Sequence, residues 1–319
     1  MKHKRTLLIF LFFAFLFLAF FFRDREEKKV FFGFDTWIEV ELPRSKASLF
    51  SSISSLVTHL DQLWDRFSPS SVIFKINHSS LPLLVDEDTF QILEKAQEGG
   101  EETQGFFSVL IAPLMDLWGF PEHPSIPEEE EIKKAVEKIN NSKLGLNKED
   151  RKVLIEGEGQ IDLGGIGKGY LIDKIVVLLQ KEKVPQALIN AGGEIFAWGR
   201  KTKVGIRHPR QEKLLGYVVI ENEAISTSGD YYRFFEEEGV RYHHIINPFT
   251  GYPGRDFQSV TVVGKEATFA DILSTAIMAG GKEALAVVEK NFPEAKILAV
   301  GKGSEIYLSS SMKKVFFSE

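Results

Sequence analysis

Gln160-Ile-Asp-Leu-Gly-Gly-Ile-Gly-Lys-Gly-Tyr-Leu-Ile-Asp173 reads as the end of a strand, a glycine-packed turn and the start of a helix. Gly164, Gly165, Gly167 and Gly169 fall within six residues. Glycine lets a backbone turn sharply and leaves no Cβ in the way of a ligand. Beyond them Leu171, Ile175, Leu178 and Leu179 recur at helical spacing, an apolar stripe that runs to about Val184. Such a first turn offers free N–H donors and the positive end of the helix dipole, a seat for phosphate, and Lys168 adds a full charge. The same glycines also suit a plain strand-to-helix turn, and both readings stay open on this stretch alone. The Walker A pattern fails, because Gly169 follows Lys168 and Asp162 stands where the first glycine belongs. The dinucleotide pattern fails as well, with Tyr170 or Ile172 in place of its last glycine.

The chain has 319 residues, enough for one large domain or two lobes. Its 44% hydrophobic and 26% charged content is that of a globular protein. A net charge of −6 with no basic stripe argues against nucleic acid as the main partner. The absence of cysteine excludes disulfides, thiolate metal sites, cysteine nucleophiles and a lipid-bearing cysteine. Lys2, Lys4 and Arg5 precede an apolar run from Leu7 to Phe22, and Arg23-Asp-Arg-Glu-Glu-Lys-Lys29 closes it. That arrangement is a secretion signal or a short membrane anchor. The run ends Ala19-Phe-Phe-Phe22, without the small residues of a cleavage site, so we expect an uncleaved anchor over residues 1–29 and a folded domain over 30–319.

Val30 to Leu42 reads as one strand entered through Phe34-Asp-Thr36. Helical periodicity marks residues 46–66, 86–101 and 128–140, the last inside a charged stretch that reads as a solvated excursion. From Ala187 onward short strands dominate, with a hairpin across Glu238-Gly239. Two helices follow, from Thr268 to Ala279 and from Lys282 to Asn291, parted by Gly280-Gly281. The expected class is α+β: mixed, largely antiparallel sheets flanked by helices in one bilobal domain.

Four constellations can carry chemistry. Tyr242-His-His-Ile-Ile-Asn-Pro-Phe-Thr-Gly251 puts two histidines at a strand end, where adjacent side chains face opposite ways. One of them can therefore face a given site, unless both are ordinary loop-edge residues. Asp271 and Thr275 lie four apart on a helix, so their oxygens can converge on one Mg²⁺. Thr268-Phe-Ala-Asp271 equally fits a helix N-cap with its acid at the third position. Asp162 beside a phosphate turn is repulsive unless it bonds a nucleobase, a hydroxyl or a metal. Ser226-Thr-Ser-Gly-Asp230 reads as a small polar turn, either a binding wall or a hairpin end.

Asp162-Leu-Gly-Gly-Ile-Gly-Lys-Gly-Tyr170, Asn190-Ala-Gly-Gly193, Ser226 to Asp230, His244-Ile-Ile-Asn-Pro248 with Thr250-Gly251, and Ala270-Asp-Ile-Leu-Ser-Thr275 occur together and in order. In combination they resemble the ApbE family, the FAD:protein FMN transferases. The resemblance extends to Phe34-Asp-Thr36, Arg66-Phe67 with Ser71 and Asn77, Pro113-Leu114 and Trp118-Gly-Phe120, and so covers roughly residues 33 to 312. It implies a T-fold-like catalytic domain and a Mg²⁺-dependent enzyme that splits the pyrophosphate of FAD. The FMN half passes to a threonine hydroxyl of an acceptor protein, and AMP leaves. By family position, the resemblance implies that Phe34, Phe106, Phe107, Ser108, Asp162, Lys168 and Ile245 bind FAD. It likewise implies that the Gly165 carbonyl, Asp271 and Thr275 ligate Mg²⁺, and that His244 takes the threonine proton while His243 faces away and is replaceable.

Gly105-Phe-Phe-Ser108 departs from the family's frequent Gly-x-Phe-Asp, a hydroxyl standing in for a carboxylate. FAD binding without chemistry, or hydrolysis to FMN and AMP with no protein acceptor, are the alternatives. His244, Asp271 and Thr275 together favour catalysis over binding alone. With no cysteine to carry a lipid, Leu7 to Phe22 is expected to anchor the protein at the inner membrane. The catalytic domain would then lie outside the cytoplasm, facing acceptors such as a membrane redox subunit.

Overall fold

The computed structural model describes residues 25–318. At its centre lies an eight-stranded sheet whose spatial order follows chain order: Glu26–Gly33, Thr36–Pro43, Ala187–Ala191, Glu194–Trp198, Glu223–Gly229, Phe257–Gly264, Lys296–Gly301 and Ile306–Leu308. Every neighbouring pair in it is antiparallel. The expectation of antiparallel sheets with helices therefore holds. The expected membrane anchor lies outside the described residues, apart from the charged tail Glu26 to Lys29, which already belongs to the first strand. Among the described residues no helix is long and apolar enough to cross a membrane.

Side chains alternate across the sheet, and the two faces are covered differently. One face carries Ile38, Val40, Ile189, Phe196, Val260, Val262 and Ile297 into the main core, with the helices Gly167–Lys181 and Ala267–Asn291. The other carries Ala197, Ile225, Val263, Leu298 and Val300 against a three-stranded sheet of Thr202–Arg207, Leu214–Ile220 and Phe316–Ser318. A smaller cluster of Leu114, Trp118, Phe120, Ile132 and Ile139 gathers around the helices Ala112–Leu117 and Glu129–Asn140. It packs against Ile246, Tyr242 and Phe235, the neighbourhood of the two histidines.

Two readings of the chain change. The expected single strand over Val30 to Leu42 is a tight hairpin, with Phe34 and Asp35 left-handed at φ 56 and 54. Two such residues in succession form the hairpin turn whose twist matches that of the strands. Phenylalanine is not a turn residue by preference, so local chemistry gave no warning. The conformation is held from outside: the Phe34 N–H donates to Asp61 Oδ1 at 2.7 Å, and its ring packs over Gly167. The charged excursion also contains a hairpin, Lys143–Asn147 with Lys152–Glu156, which buries Val153 and Ile155.

The N-termini of the two main helices lie side by side. A Cβ on Gly169 would stand 2.5 Å from the carbonyl oxygen of Ala267, so only glycine permits this approach. Asp173 of the first helix accepts from the N–H groups of Ala267 and Thr268 at 2.8 and 2.9 Å, and from the Thr268 hydroxyl. The long helix is thus capped by another element, and Thr268 does not cap it as the local pattern allowed. It runs to Asn291 across a break at Gly281, φ 65, where the sequence parts two helices.

Asp173→Ala leaves two helix-end amides without an acceptor. It should lower the unfolding free energy by about 2 kcal/mol, the upper end of the range for a lost cap, in a urea titration. A loss below about 0.5 kcal/mol would mean that packing alone holds the two helix ends together.

Candidate active site

The glycine loop, the long helix and the turn before Glu194–Trp198 meet at one point. Gly169 donates its N–H to Asp271 Oδ2 at 3.2 Å. A Cβ on Gly165 would lie 3.3 Å from the Thr275 hydroxyl, so loop and helix touch there too. Lys168 Nζ sits 3.0 Å from Glu194 Oε1 and 3.4 Å from the Gly164 carbonyl. The expected cradle of free loop amides is only partly present. The Gly164 N–H goes to Asp162 Oδ1, that of Gly167 to the Leu163 carbonyl, and that of Gly169 to Asp271. The positive end of the helix is turned on the protein's own acid.

Asp271 and Glu194 are 3% and 6% exposed, and their carboxyls stand within hydrogen-bond reach of each other. Burial raises the pKa of both acids; the Asp271 charge raises Glu194 further against the pull of Lys168, while Lys168, the Gly169 N–H and a hydrogen bond with Glu194 hold Asp271 down. Burial also works against the Lys168 ammonium, but Glu194 and Asp271 outweigh it and raise its pKa. Lys168 is therefore held charged. A chain of hydroxyls backs the site: Ser226 and Ser228 lie 3.2 and 3.0 Å from Ser274, and Ser228 lies 3.5 Å from Thr275. Ser226 to Gly229 belongs to the central strand Glu223–Gly229, which extends the strand read from Ala224 to Ser228 through the polar turn; Ser226 and Ser228 face the helix, and Thr227 pairs with Thr261.

Asp162 is fixed from two sides. Arg66 Nε lies 2.8 Å from its Oδ2, and Asn77 braces the preceding residue by pairing with both the N–H and the carbonyl of Ile161. The Phe34 ring packs over Gly167, and the Phe107 ring over Gly165. Phe106 points the other way, to Gly280 and edge-on to Phe249 at 5.2 Å, so it is not gathered with the carboxylates. The Ser108 hydroxyl accepts from the Leu110 N–H at 3.2 Å, a local turn contact. Ile245 is buried, with its carbonyl accepting from Gly254.

The two histidines diverge as strand alternation requires. His243, 2% exposed, accepts from the Ile245 N–H at Nδ1 and donates from Nε2 to the Gly254 carbonyl. Both nitrogens are occupied. His244 donates from Nδ1 to the Arg233 carbonyl at 3.2 Å, which fixes the neutral tautomer with Nε2 open. Desolvation, aided by His243, Arg233 and Lys168, pushes its pKa down to about 3. The imidazole is therefore neutral at physiological pH, with no proton on Nε2.

The sequence profile of the ApbE family matches residues 34–298. The chain belongs to the ApbE family. It is similar to an FAD:protein FMN transferase of Klebsiella pneumoniae, 30% identical over 277 residues that cover 84% of this chain and 87% of that one. One from Treponema pallidum is 34% identical over 245 residues, 69% and 67% of the two chains. Among solved structures, the ApbE protein of Thermotoga maritima superposes with a TM-score of 0.84 at 31% identity, covering 92% of this chain and 100% of that one. The flavin transferase ApbE of Vibrio cholerae gives 0.79 at 26% identity, covering 91% and 99%.

Two members of this ApbE site had no duty in the sequence reading. Glu194 closes the Asn190-Ala-Gly-Gly turn, whose glycines at φ 63 and 100 swing the next side chain inward. A carboxylate directly after such a turn and before an apolar strand was the available signal. Arg66 was marked only by the Arg66-Phe67 motif of the resemblance, which gives no role, because its partner Asp162 lies 96 residues away.

His243 is corrected from replaceable to structural. His243→Ala should lose about 1–3 kcal/mol of stability, because it strands a buried amide and a buried carbonyl. His244→Ala should stay within about 0.5 kcal/mol of the parent. Chemical denaturation of both variants decides this, and equal stabilities would contradict the assignment.

Proposed function

We propose that the chain moves the FMN half of FAD onto a threonine hydroxyl of an acceptor protein, with Mg²⁺ as cation and AMP as the leaving product. The observation that carries this reading is a neutral histidine with Nε2 open, near enough to feel the charge of a lysine that is itself paired with one of two buried acids. The donors suit a hard divalent cation. Asp271, Thr275 and the Gly165 carbonyl supply only oxygen, and Glu194 Oε2 has no hydrogen-bond partner. Asp271, Thr275 and the Gly165 carbonyl would hold Mg²⁺, which when bound neutralises charge on the pyrophosphate.

His244 Nε2 accepts the proton of the acceptor hydroxyl as that oxygen bonds to the phosphorus of the FMN half. The bond from this phosphorus to the bridging oxygen breaks, and AMP departs with the electron pair. Lys168 lies beside the phosphates and stabilises the charge that develops. Asp162, pinned by Arg66, meets donor groups of FAD rather than its phosphates. Phe34, Phe107 and Ile245 supply the apolar lining for the flavin, while Ser108 and Phe106 stand at its edge.

The test is incubation of the protein with FAD, Mg²⁺ and candidate acceptors, followed by flavin fluorescence in a denaturing gel. His244→Ala should still bind FAD and should transfer flavin about 10²–10⁴-fold more slowly. Transfer at the parent rate would remove His244 as the base. Release of FMN and AMP with no labelled acceptor would favour hydrolysis.

We further propose that Leu7 to Phe22 tethers the domain to a membrane, with the catalytic part outside the cytoplasm. The support is an apolar run closed on both sides by charge. Protease added to the outside of intact inner-membrane spheroplasts should digest the domain. Protection there, with digestion only after lysis, would reverse the orientation.

A further inference from the structure

Glu194 is the one buried acid of the site that the transfer mechanism leaves without work beyond holding Lys168. Its Oε1 lies 3.0 Å from the lysine ammonium. Its Oε2 is buried and has no hydrogen-bond partner, although the residue is only 6% exposed. The Asp271 carboxyl lies within hydrogen-bond reach of this side chain. Two buried carboxyls thus lie together, an arrangement that is unfavourable with both ionised unless a positive group joins it, and that otherwise needs a proton shared between them. Lys168 cannot serve both, since the two acids carry −2 when ionised against its +1. The Gly169 N–H offsets part of the Asp271 charge but does not reach Glu194.

We propose that Glu194 is a further carboxylate of the cation site, facing the same ion as Asp271 while its other oxygen holds Lys168. This rests on the cation reading given above. One side chain then links the group that meets the phosphates to the group that meets the metal. The alternative is that Glu194 serves only as the counterion of Lys168. That alternative predicts weaker FAD binding on its loss but no change in cation affinity when FAD is absent.

The deciding measurement uses Mn²⁺, followed by electron paramagnetic resonance, with the full-length protein in detergent and no FAD. Glu194→Gln keeps the size of the side chain and can donate to Asp271. It should weaken Mn²⁺ binding at least tenfold and shrink the rise in Tm caused by the cation. Its Tm without cation should equal or exceed that of the parent, because a buried like-charge contact is gone. Glu194→Asp, which keeps the charge, should recover part of the affinity. Parent-like Mn²⁺ affinity in Glu194→Gln would overturn the proposal, as would a fall in cation-free Tm as large as the loss of the cation effect. A parent protein that binds no Mn²⁺ without FAD would remove the cation reading itself, an outcome distinct from failure of Glu194 alone.

Discussion

Two helices exchange carboxylates at their N-termini, and the site exists because they do. Asp173 of the glycine-loop helix caps the long helix at Ala267 and Thr268. Asp271 of the long helix accepts the N–H of Gly169 in the other. Each acid sits where a partner helix presents unsatisfied donors and a positive dipole end. The exchange requires backbones nearly in contact, and Gly169 against the Ala267 carbonyl supplies that contact. A buried carboxylate without such partners would strongly disfavour the fold. With them, the cost of burying Asp271 is partly offset.

The same economy of polar groups separates the working residues from their neighbours. His243 uses both ring nitrogens on the backbone and is part of the framework. His244, one residue on, uses one nitrogen and keeps the other. Desolvation opposes its charged form, so the free nitrogen carries no proton. Lys168 is the reverse case, a half-buried cation kept charged by the two acids beside it. Opposite electrostatic states thus stand side by side, set by which groups the fold brings to each.

Helices with long apolar periodicity were legible in the sequence nearly to the residue. The segments expected at 46–66, 86–101 and 128–140 are the helices Leu49–Trp64, Glu87–Glu102 and Glu129–Asn140. Their period is a local property that burial against any sheet would enforce. Turns with local chemistry, such as Glu238-Gly239, were legible for a similar reason. The Phe34-Asp35 turn was not, because the contacts that hold it come from Asp61 and Gly167.

By itself the sequence determined the glycine loop, the alternation that separates His243 from His244, the Asp271–Thr275 spacing, and an ordered set of motifs resembling one family. Those features depend on residue type and on periods of two or four along the chain. Only the tertiary structure decided that Asp271 caps a foreign helix, that Arg66 pins Asp162, and that Glu194 completes the acidic pair. Each of these is a contact between residues far apart in sequence, governed by where buried charges find partners. No local pattern encodes such pairing, because the energy of a buried charge is set by everything folded around it.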